Sequence, residues 1–259
     1  MKEMKKIFAL SIILLAFASC QKENAVIVPE DDVAFVTINN FTTKSQIGTD
    51  AVLKWSKGDK LAVFGDADYT ASEFLFRSGE GYSTAAFGGQ KPQGEEFIVC
   101  HPSTTRCDGV TLRGIIDTKV SHKMPFQTLG SLPMWGKTKD LSKVSLNGVC
   151  GILKLDIKGS VKLQSILLNA GRPISGEFLC TIEDGLFAMI GGANIVYMET
   201  DGTEVVPSEA TSFYFVLPPG EYEAVKVNLT DTEGEVSYLT LEDSFVIEAG
   251  VFTSVSLNL

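Results

Sequence analysis

The sequence has few of the residues, and none of the short motifs, on which most enzymes depend. Only two histidines occur among 259 residues, His101 and His122, and neither has a patterned serine, aspartate or cysteine partner. There is no Gly-x-Ser-x-Gly elbow and no His-Glu-x-x-His motif, and Gly88-Gly89 lacks the lysine–hydroxyl ending of a phosphate loop. A catalytic triad needs a nucleophile, a base and an orienting group that converge. We therefore predict that the chain is not an enzyme and uses no cofactor.

Recognisable metal-binding motifs are also missing. The acid pairs Asp31-Asp32, Asp66-Ala67-Asp68 and Glu95-Glu96 could be calcium ligands or a glycosidase dyad, but no Asp-x-Asp-x-Asp-Gly loop surrounds them. Solvated loop charges are the favoured interpretation. The six-residue spacing between Cys100 and Cys107 fits no common zinc site. We expect no metal.

Positive charge is scarce. The chain has 22 basic and 32 acidic residues, a net charge of −10. Residues 1–19 hold three lysines and one glutamate, so the remainder carries about −12. An acidic surface argues against nucleic acid, which requires a basic face, and against electrostatic adhesion to anionic lipid.

Long apolar runs are limited to one, at the start of the chain. Lys2, Lys5 and Lys6 precede the mostly apolar run Ile7–Phe17, and Ala18-Ser19 lead into Cys20. This is the pattern of a secretory signal, and the run is too short for a permanent membrane span. The residues before Cys20 resemble a bacterial lipobox, which implies cleavage after residue 19 and acylation of Cys20. The alternative is an ordinary signal whose cut lies near a cysteine.

The other four cysteines leave two interpretations open. An exported protein can oxidise them, and the pairs Cys100–Cys107 and Cys150–Cys180 are then the economical choice. Alternatively, they are small buried hydrophobic residues, since Cys150 and Cys180 lie in apolar, strand-like runs. The second interpretation is favoured.

Short strands separated by turns dominate the chain after a polar tether, residues 20–30. Leu153, Leu155 and Ile157 alternate with polar residues, as do Val225, Val227 and Leu229, and as do Val255, Leu257 and Leu259. No later segment has a sustained helical period. We predict an all-β fold of two β-sandwich domains in tandem, residues 31–138 and 139–259.

Aromatic residues near predicted turns offer one route to ligand binding. Trp55 and Trp135, with Tyr69 and Tyr82, could stack on sugars. The alternative is that these rings fill the ends of the sandwiches, which is the commoner place for tryptophan.

Three regions resemble the fimbrillin-like family of bacterial outer-membrane lipoproteins. The first is Leu53–Phe64, with its Trp-x-x-Gly-Asp sequence before an apolar strand. The second is Leu132–Gly136, followed by Val144–Ile157 and the strand Leu163–Leu168. The third is Phe213–Tyr222 with the closing segment Phe245–Leu257. The resemblance implies two transthyretin-like (Ig-like) β-sandwiches, and assembly with other pilus subunits by strand exchange.

The resemblance also implies which strand is exchanged. Val33–Asn39 is the strand to be lost, ahead of the polar linker Thr42–Asp50. Shaft subunits are often cut after an arginine there, but no arginine precedes Arg77, so Lys44 is the candidate processing site. The chain stops on Phe252–Leu259, with little sequence beyond the apparent final strand. Both departures favour a tip-like, unpolymerised or anchor subunit over a shaft subunit.

We therefore expect a non-catalytic pilus subunit or adhesin at the cell outer membrane, anchored by lipid on Cys20. The alternative is a surface glycan-binding lipoprotein of a nutrient-uptake system, which would bind host or bacterial glycans through Trp55 or Trp135.

Overall fold

The structure, a computed structural model, describes residues 32–39, 42–43, 53–123, 126–128 and 131–259. They belong to one compact unit, Asp31–Leu259. The predicted signal (1–19), Cys20 and the tether lie outside the described residues. Within the described part of the chain, no helix has the length and hydropathy needed to cross a bilayer.

The regular structure that is described consists of β-strands, as predicted. The first twelve are β1 Asp32–Ile38, β2 Thr42–Thr43, β3 Lys60–Gly65, β4 Ala71–Ser78, β5 Thr84–Gly89, β6 Phe97–His101, β7 Arg106–Cys107, β8 Thr111–Ile116, β9 Lys119–Lys123, β10 Phe126–Thr128, β11 Met134–Thr138 and β12 Val144–Gly148. The next eleven are β13 Gly151–Lys158, β14 Val161–Asn169, β15 Gly176–Thr181, β16 Phe187–Met189, β17 Ile195–Val205, β18 Thr211–Leu217, β19 Gly220–Tyr222, β20 Val225–Asp231, β21 Val236–Leu241, β22 Phe245–Ile247 and β23 Val251–Asn258.

These strands form five sheets. One closes into a barrel in the order β1-β12-β11-β6-β3-β4-β5, with β5 returning to β1. A six-stranded sheet has the order β10-β9-β17-β14-β20-β21, and a four-stranded sheet the order β18-β13-β23-β2. A second four-stranded sheet has the order β16-β15-β8-β7, and β19 pairs with β22.

Alternating side chains define the hydrophobic core between the six-stranded sheet and β13. Leu153, Leu155 and Ile157 have no exposed surface. Val225, Val227 and Leu229 of β20 are also buried, and lie in the same cluster. These two predicted alternations are confirmed. β20 also pairs antiparallel with β21, the next strand along the chain.

The third predicted alternation is confirmed only in part. Val255 and Leu257 of β23 are partly buried against the same cluster, whereas Leu259 is 49% exposed. The inward face of β23 is therefore less buried towards the end of the strand.

The path of the chain differs from a simple succession of two units. β12 follows the predicted boundary at 138/139 but pairs with β1 and β11 of the barrel. β8 pairs with β15, and β9 pairs with β17, so strands from before and after that boundary share sheets. The all-β class is confirmed, and the division at 138/139 into tandem transthyretin-like domains stays a prediction.

Candidate assembly site

The first strand completes the barrel. β1 pairs antiparallel with β5, from Asp32 opposite Gly89 to Thr37 opposite Thr84. On its other side it pairs in parallel with β12, where Val36 lies opposite Val144. β1 is the link between these two strands, so its removal would open the barrel and leave two strand edges facing a gap.

One face of β1 fills the barrel interior. Ala34 and Val36 have no exposed surface and Ile38 is 4% exposed, whereas Val33 and Phe35 are 46% and 51% exposed. Burying a side chain such as valine or isoleucine contributes about 1.5–3 kcal/mol. The strand thus places a row of apolar side chains in the barrel interior, and its backbone pairs with a strand on each side.

Contacts outside the two ladders hold β1 in register. The Phe35 amide donates to the Leu141 carbonyl at 3.0 Å, and the Asn39 amide donates to the Leu146 carbonyl at 2.9 Å. The Asn39 side-chain amide donates to the Asn147 side-chain oxygen at 2.7 Å. These bonds connect β1 and the residue after it to the segment around β12.

Trp55 is one of the residues that fix β1. Its indole Nε1 donates to the Val36 carbonyl oxygen at 3.2 Å. Its ring meets Phe87 and His101 edge-on, at centroid distances of 5.0 and 5.3 Å, and only 2% of the residue is exposed. A sugar cannot stack on a ring without exposed surface, so the interpretation of Trp55 as a ligand-stacking residue is wrong for this structure.

The Trp-x-x-Gly-Asp sequence explains how Trp55 is positioned. Ser56 donates its amide to Asp59 Oδ2 at 2.7 Å, and the Asp59 amide donates to the Ser56 carbonyl at 3.1 Å. Gly58 has φ +104°, which glycine adopts without a steric penalty. The sequence therefore closes a tight turn between Trp55 and β3.

Trp135 lies in β11 and not in a turn. It is opposite Cys100 of β6 and Asn147 of β12, and it is partly buried against the barrel core. The next residue, Gly136, has no room for a side chain, because a Cβ there would lie 2.1 Å from the Ser145 carbonyl oxygen. The Trp-Gly pair is thus explained by strand packing, and a ligand-binding role for Trp135 stays a prediction.

The second strand extends the N-terminal contact to another sheet. Thr42 and Thr43 form β2, which runs parallel to β23, with Thr42 opposite Val251 and Thr43 opposite Phe252. The N-terminal stretch therefore pairs first with the barrel and then with the sheet of β13 and β18. Lys44, the candidate processing site, follows directly and lies outside the described residues.

The four described cysteines are free thiols in the hydrophobic core. Cys100, Cys107, Cys150 and Cys180 belong to one cluster, and each is less than 9% exposed. Burial raises the pKa of all four thiols, and Cys107 and Cys180 raise the pKa of Cys100 and Cys150 further. The structure thus presents them as buried hydrophobic residues, the interpretation favoured above.

Both histidines contact aromatic rings, His101 that of Trp55 and His122 that of Phe213. His101 Nδ1 is 3.1 Å from the Leu132 carbonyl oxygen, and its Nε2 is 3.8 Å from Asp59 Oδ1, beyond hydrogen-bond distance. Ser103, in the same shallow cavity, donates to Glu73. His122 is buried, with its ring 4.9 Å from that of Phe213. Among the described residues, no group of three or more histidine, cysteine or acidic side chains could hold a metal ion.

Sequence patterns missed the partners of the first strand. The parallel pair with β12 joins residues more than 100 positions apart, and β2 is only two residues long. The one local signal was the Trp-x-x-Gly-Asp sequence, whose indole reaches β1.

No protein-family model matches this sequence, and no curated protein matches it. Among solved structures, a putative cell adhesion protein from Bacteroides ovatus aligns with 87% of this chain and 91% of its own, at a TM-score of 0.55 and 12% identity. The chain shares the fold of that protein. The other solved structures that it resembles include fimbrial proteins and further putative cell adhesion proteins.

Two further structures are examples of these two kinds of protein. A putative cell adhesion protein from Bacteroides fragilis aligns with 88% of this chain and 93% of its own, at a TM-score of 0.46 and 10% identity. The tip fimbrial protein Mfa3 from Porphyromonas gingivalis, with a C-terminal truncation, aligns with 81% of each chain, at a TM-score of 0.36 and 14% identity. Of the three, the Bacteroides ovatus structure is the one that establishes the shared fold.

Proposed function

We propose that this chain is a fimbrillin-like subunit or adhesin of a surface pilus, exported, anchored in the outer membrane by lipid on Cys20, and non-catalytic. The observation that carries the proposal is the position of β1, a terminal strand that closes the barrel between β5 and β12. The fold shared with the Bacteroides ovatus protein supports it.

In the proposed assembly step, the lipid on Cys20 holds the precursor at the outer membrane until proteolysis after Lys44. That cut releases β1 and β2 together with the lipidated N-terminus. The gap left by β1 has the edges of β5 and β12 on its two sides, and the space vacated by Ala34, Val36 and Ile38 between them. A strand from a neighbouring subunit fills it with the same alternation of apolar and polar residues. Backbone hydrogen bonds supply affinity, and side chains at alternate positions set the register.

Loss of β2 would uncover the edge of β23 at the same time. Since β2 pairs with Val251 and Phe252, the incoming strand could continue from the barrel onto the second sheet. A strand that contacts both sheets would join neighbouring subunits more firmly than one that fills the barrel alone.

Processing at Lys44 is tested on protein recovered from cells. In wild type we expect a mature N-terminus at Ser45 and ladders of assembled subunits in unboiled samples. Lys44→Gln should leave β1 and β2 in place and abolish the ladder, because the gap is never opened. Lys54→Gln, an exposed lysine ten residues further on, is the matched control and should behave as wild type.

The N-terminus of the wild-type protein also distinguishes a shaft subunit from a subunit at another position in the pilus. If every wild-type copy starts at acylated Cys20 and forms no ladder, the chain is not a shaft subunit. In the unprocessed Lys44→Gln background, Cys20→Ala should abolish palmitate labelling. If the Lys44→Gln protein with Cys20 intact takes up no palmitate, the lipid anchor is ruled out.

Exchange itself is tested with a peptide of the β1 sequence, Asp32–Ile38. Added during assembly, it should shorten the ladders by occupying the opened gap. A control peptide with aspartate in place of Ala34 and Val36 should have no effect, because a charge cannot replace the two fully buried side chains. Equal effects of the two peptides would contradict the proposal.

A further inference from the structure

A second candidate binding edge is the outer strand of the six-stranded sheet. β21 is the outermost strand of the six-stranded sheet and, among the described residues, pairs with β20 alone. Its six residues, Val236–Leu241, include no charge and no proline. Tyr238 is 75% exposed and Val236 is 40% exposed. Natural proteins usually protect a long uncharged edge of this kind, because it invites another strand.

Backbone groups along this edge are directed away from the sheet. The Asp231 amide donates to the Glu235 carbonyl, which sets the alternation of hydrogen-bonded pairs along the hairpin. By that alternation, Ser237 and Leu239 bond to β20. Val236, Tyr238 and Thr240 then direct their amides and carbonyls outwards, where an added strand would bond.

Charges at both ends of β21 discriminate between partners. Glu233 and Glu235 precede it, and Glu242 and Asp243 follow it. Of the residues described, Lys226 of β20, opposite Thr240, is the one basic residue paired with β21. Two copies paired antiparallel through β21 would place Glu235 of each near Glu242 or Asp243 of the other. Like charges opposite one another destabilise a strand pair. The edge is therefore protected against its own copy by charge.

From these observations we propose that β21 is a docking edge for an extended segment of a different protein. That segment has an uncharged, β-forming centre with lysine or arginine on both sides. It adds a seventh strand to the sheet, and its basic ends lie against the carboxylates that flank β21. This inference does not depend on processing at Lys44 or on exchange of β1.

A cavity beside the start of β21 supports the same partner. It has a volume of about 460 Å³. Asp231 and Glu235 line it, together with one basic residue, Lys158, and the buried Leu163 and Leu229. An apolar side chain near one end of the bound strand could enter this space, while the adjacent basic residue lies near Glu235.

The probe is a synthetic peptide of alternating threonine and valine, six residues long, with two lysines at each end. Its match has two glutamates at each end. We expect the lysine peptide to bind at least about fivefold more tightly, given that each exposed charge pair contributes only up to about 1 kcal/mol. Its affinity should fall as salt is raised. Amide shift changes should centre on Val236, Tyr238 and Thr240.

Two variants test the mechanism. Thr240→Pro removes an amide that faces away from β20, so the hairpin should persist while peptide affinity falls at least tenfold. If this variant does not fold, Glu235→Lys combined with Glu242→Lys changes only exposed residues. It should reverse the preference, so that the glutamate peptide binds more tightly.

Several outcomes would overturn the proposal. These are the absence of binding by either peptide, equal binding of both, and shift changes centred on β1 or β23. A concentration-dependent dimer that Thr240→Pro abolishes would also overturn it, because self-pairing would then prevail over the acidic ends.

Discussion

Single residues fix the first strand through contacts that belong to no ladder. Trp55 illustrates this, since one indole hydrogen bond and two edge-on ring contacts connect the 55–59 turn to the centre of β1. The Trp55 ring stabilises β1, and β1 closes the barrel. Trp55, which the sequence presented as a candidate ligand-stacking residue, therefore has a structural role.

We predict that Trp55→Phe lowers the free energy of unfolding by about 1–2 kcal/mol, because the Val36 carbonyl loses a buried donor while most of the ring packing remains. Urea denaturation measures the loss. Trp135→Phe is the control, and should have the smaller effect because Trp135 is only partly buried. Equal losses in the two variants would show that the hydrogen bond to β1 is unimportant.

At the scale of elements, β1 has two faces with different roles. Its inner face is fully buried and its outer face carries Val33 and Phe35, both about half exposed. Stability should therefore depend on every second residue of this strand, and so should the fit of any strand that replaces it.

A matched pair of substitutions tests this alternation. Val36→Ala should cost about 2 kcal/mol of unfolding free energy, since it leaves a cavity in the barrel. Phe35→Ala, one residue earlier, removes a larger side chain but should cost under about 1 kcal/mol, because that side chain is half exposed. Thermal or urea unfolding measures both. A larger loss for Phe35→Ala would place the outer face of β1 against something in solution.

Local patterns indicate where several strands lie, but not which strands are their neighbours. The apolar run within Lys60–Phe64 lies in β3, and the apolar run Phe97–Cys100 lies in β6. The apolar residues from Leu141 onward begin three residues before β12, because the turn at Asp140 continues to Lys143. Alternation indicates which face of a strand is buried. It does not indicate which distant strand lies beside it.

For the whole molecule, the four core cysteines show how distant parts of the chain share one core. Cys100 and Cys107 precede the predicted boundary at 138/139, and Cys150 and Cys180 follow it, yet all four lie in one hydrophobic cluster. The cluster thus depends on the pairing of β8 with β15 and of β1 with β12.

These thiols should be protected as long as the molecule is folded. Because burial raises the pKa of all four, less thiolate exists at pH 8 than for an exposed cysteine, and thiolate is the reactive form. With protein starting after Cys20, we expect no rapid alkylation by iodoacetamide in buffer and four alkylated thiols in denaturant, counted by mass. Rapid reaction of the folded protein would contradict the buried placement. If two or all four cysteines remained unalkylated in denaturant, those cysteines would be in disulfides.

The sequence by itself determined the all-β class, the inward faces of β13 and β20, and the lipobox-like start at Cys20. Each depends on residues close together in the chain, where a period of two or a short motif suffices. Only the tertiary structure decided that β1 closes a barrel between β5 and β12, that β2 reaches β23, and that Trp55 is buried. Pairing between strands that lie about 50 to 210 residues apart is set by how the sheets pack as a whole, and no local pattern encodes it.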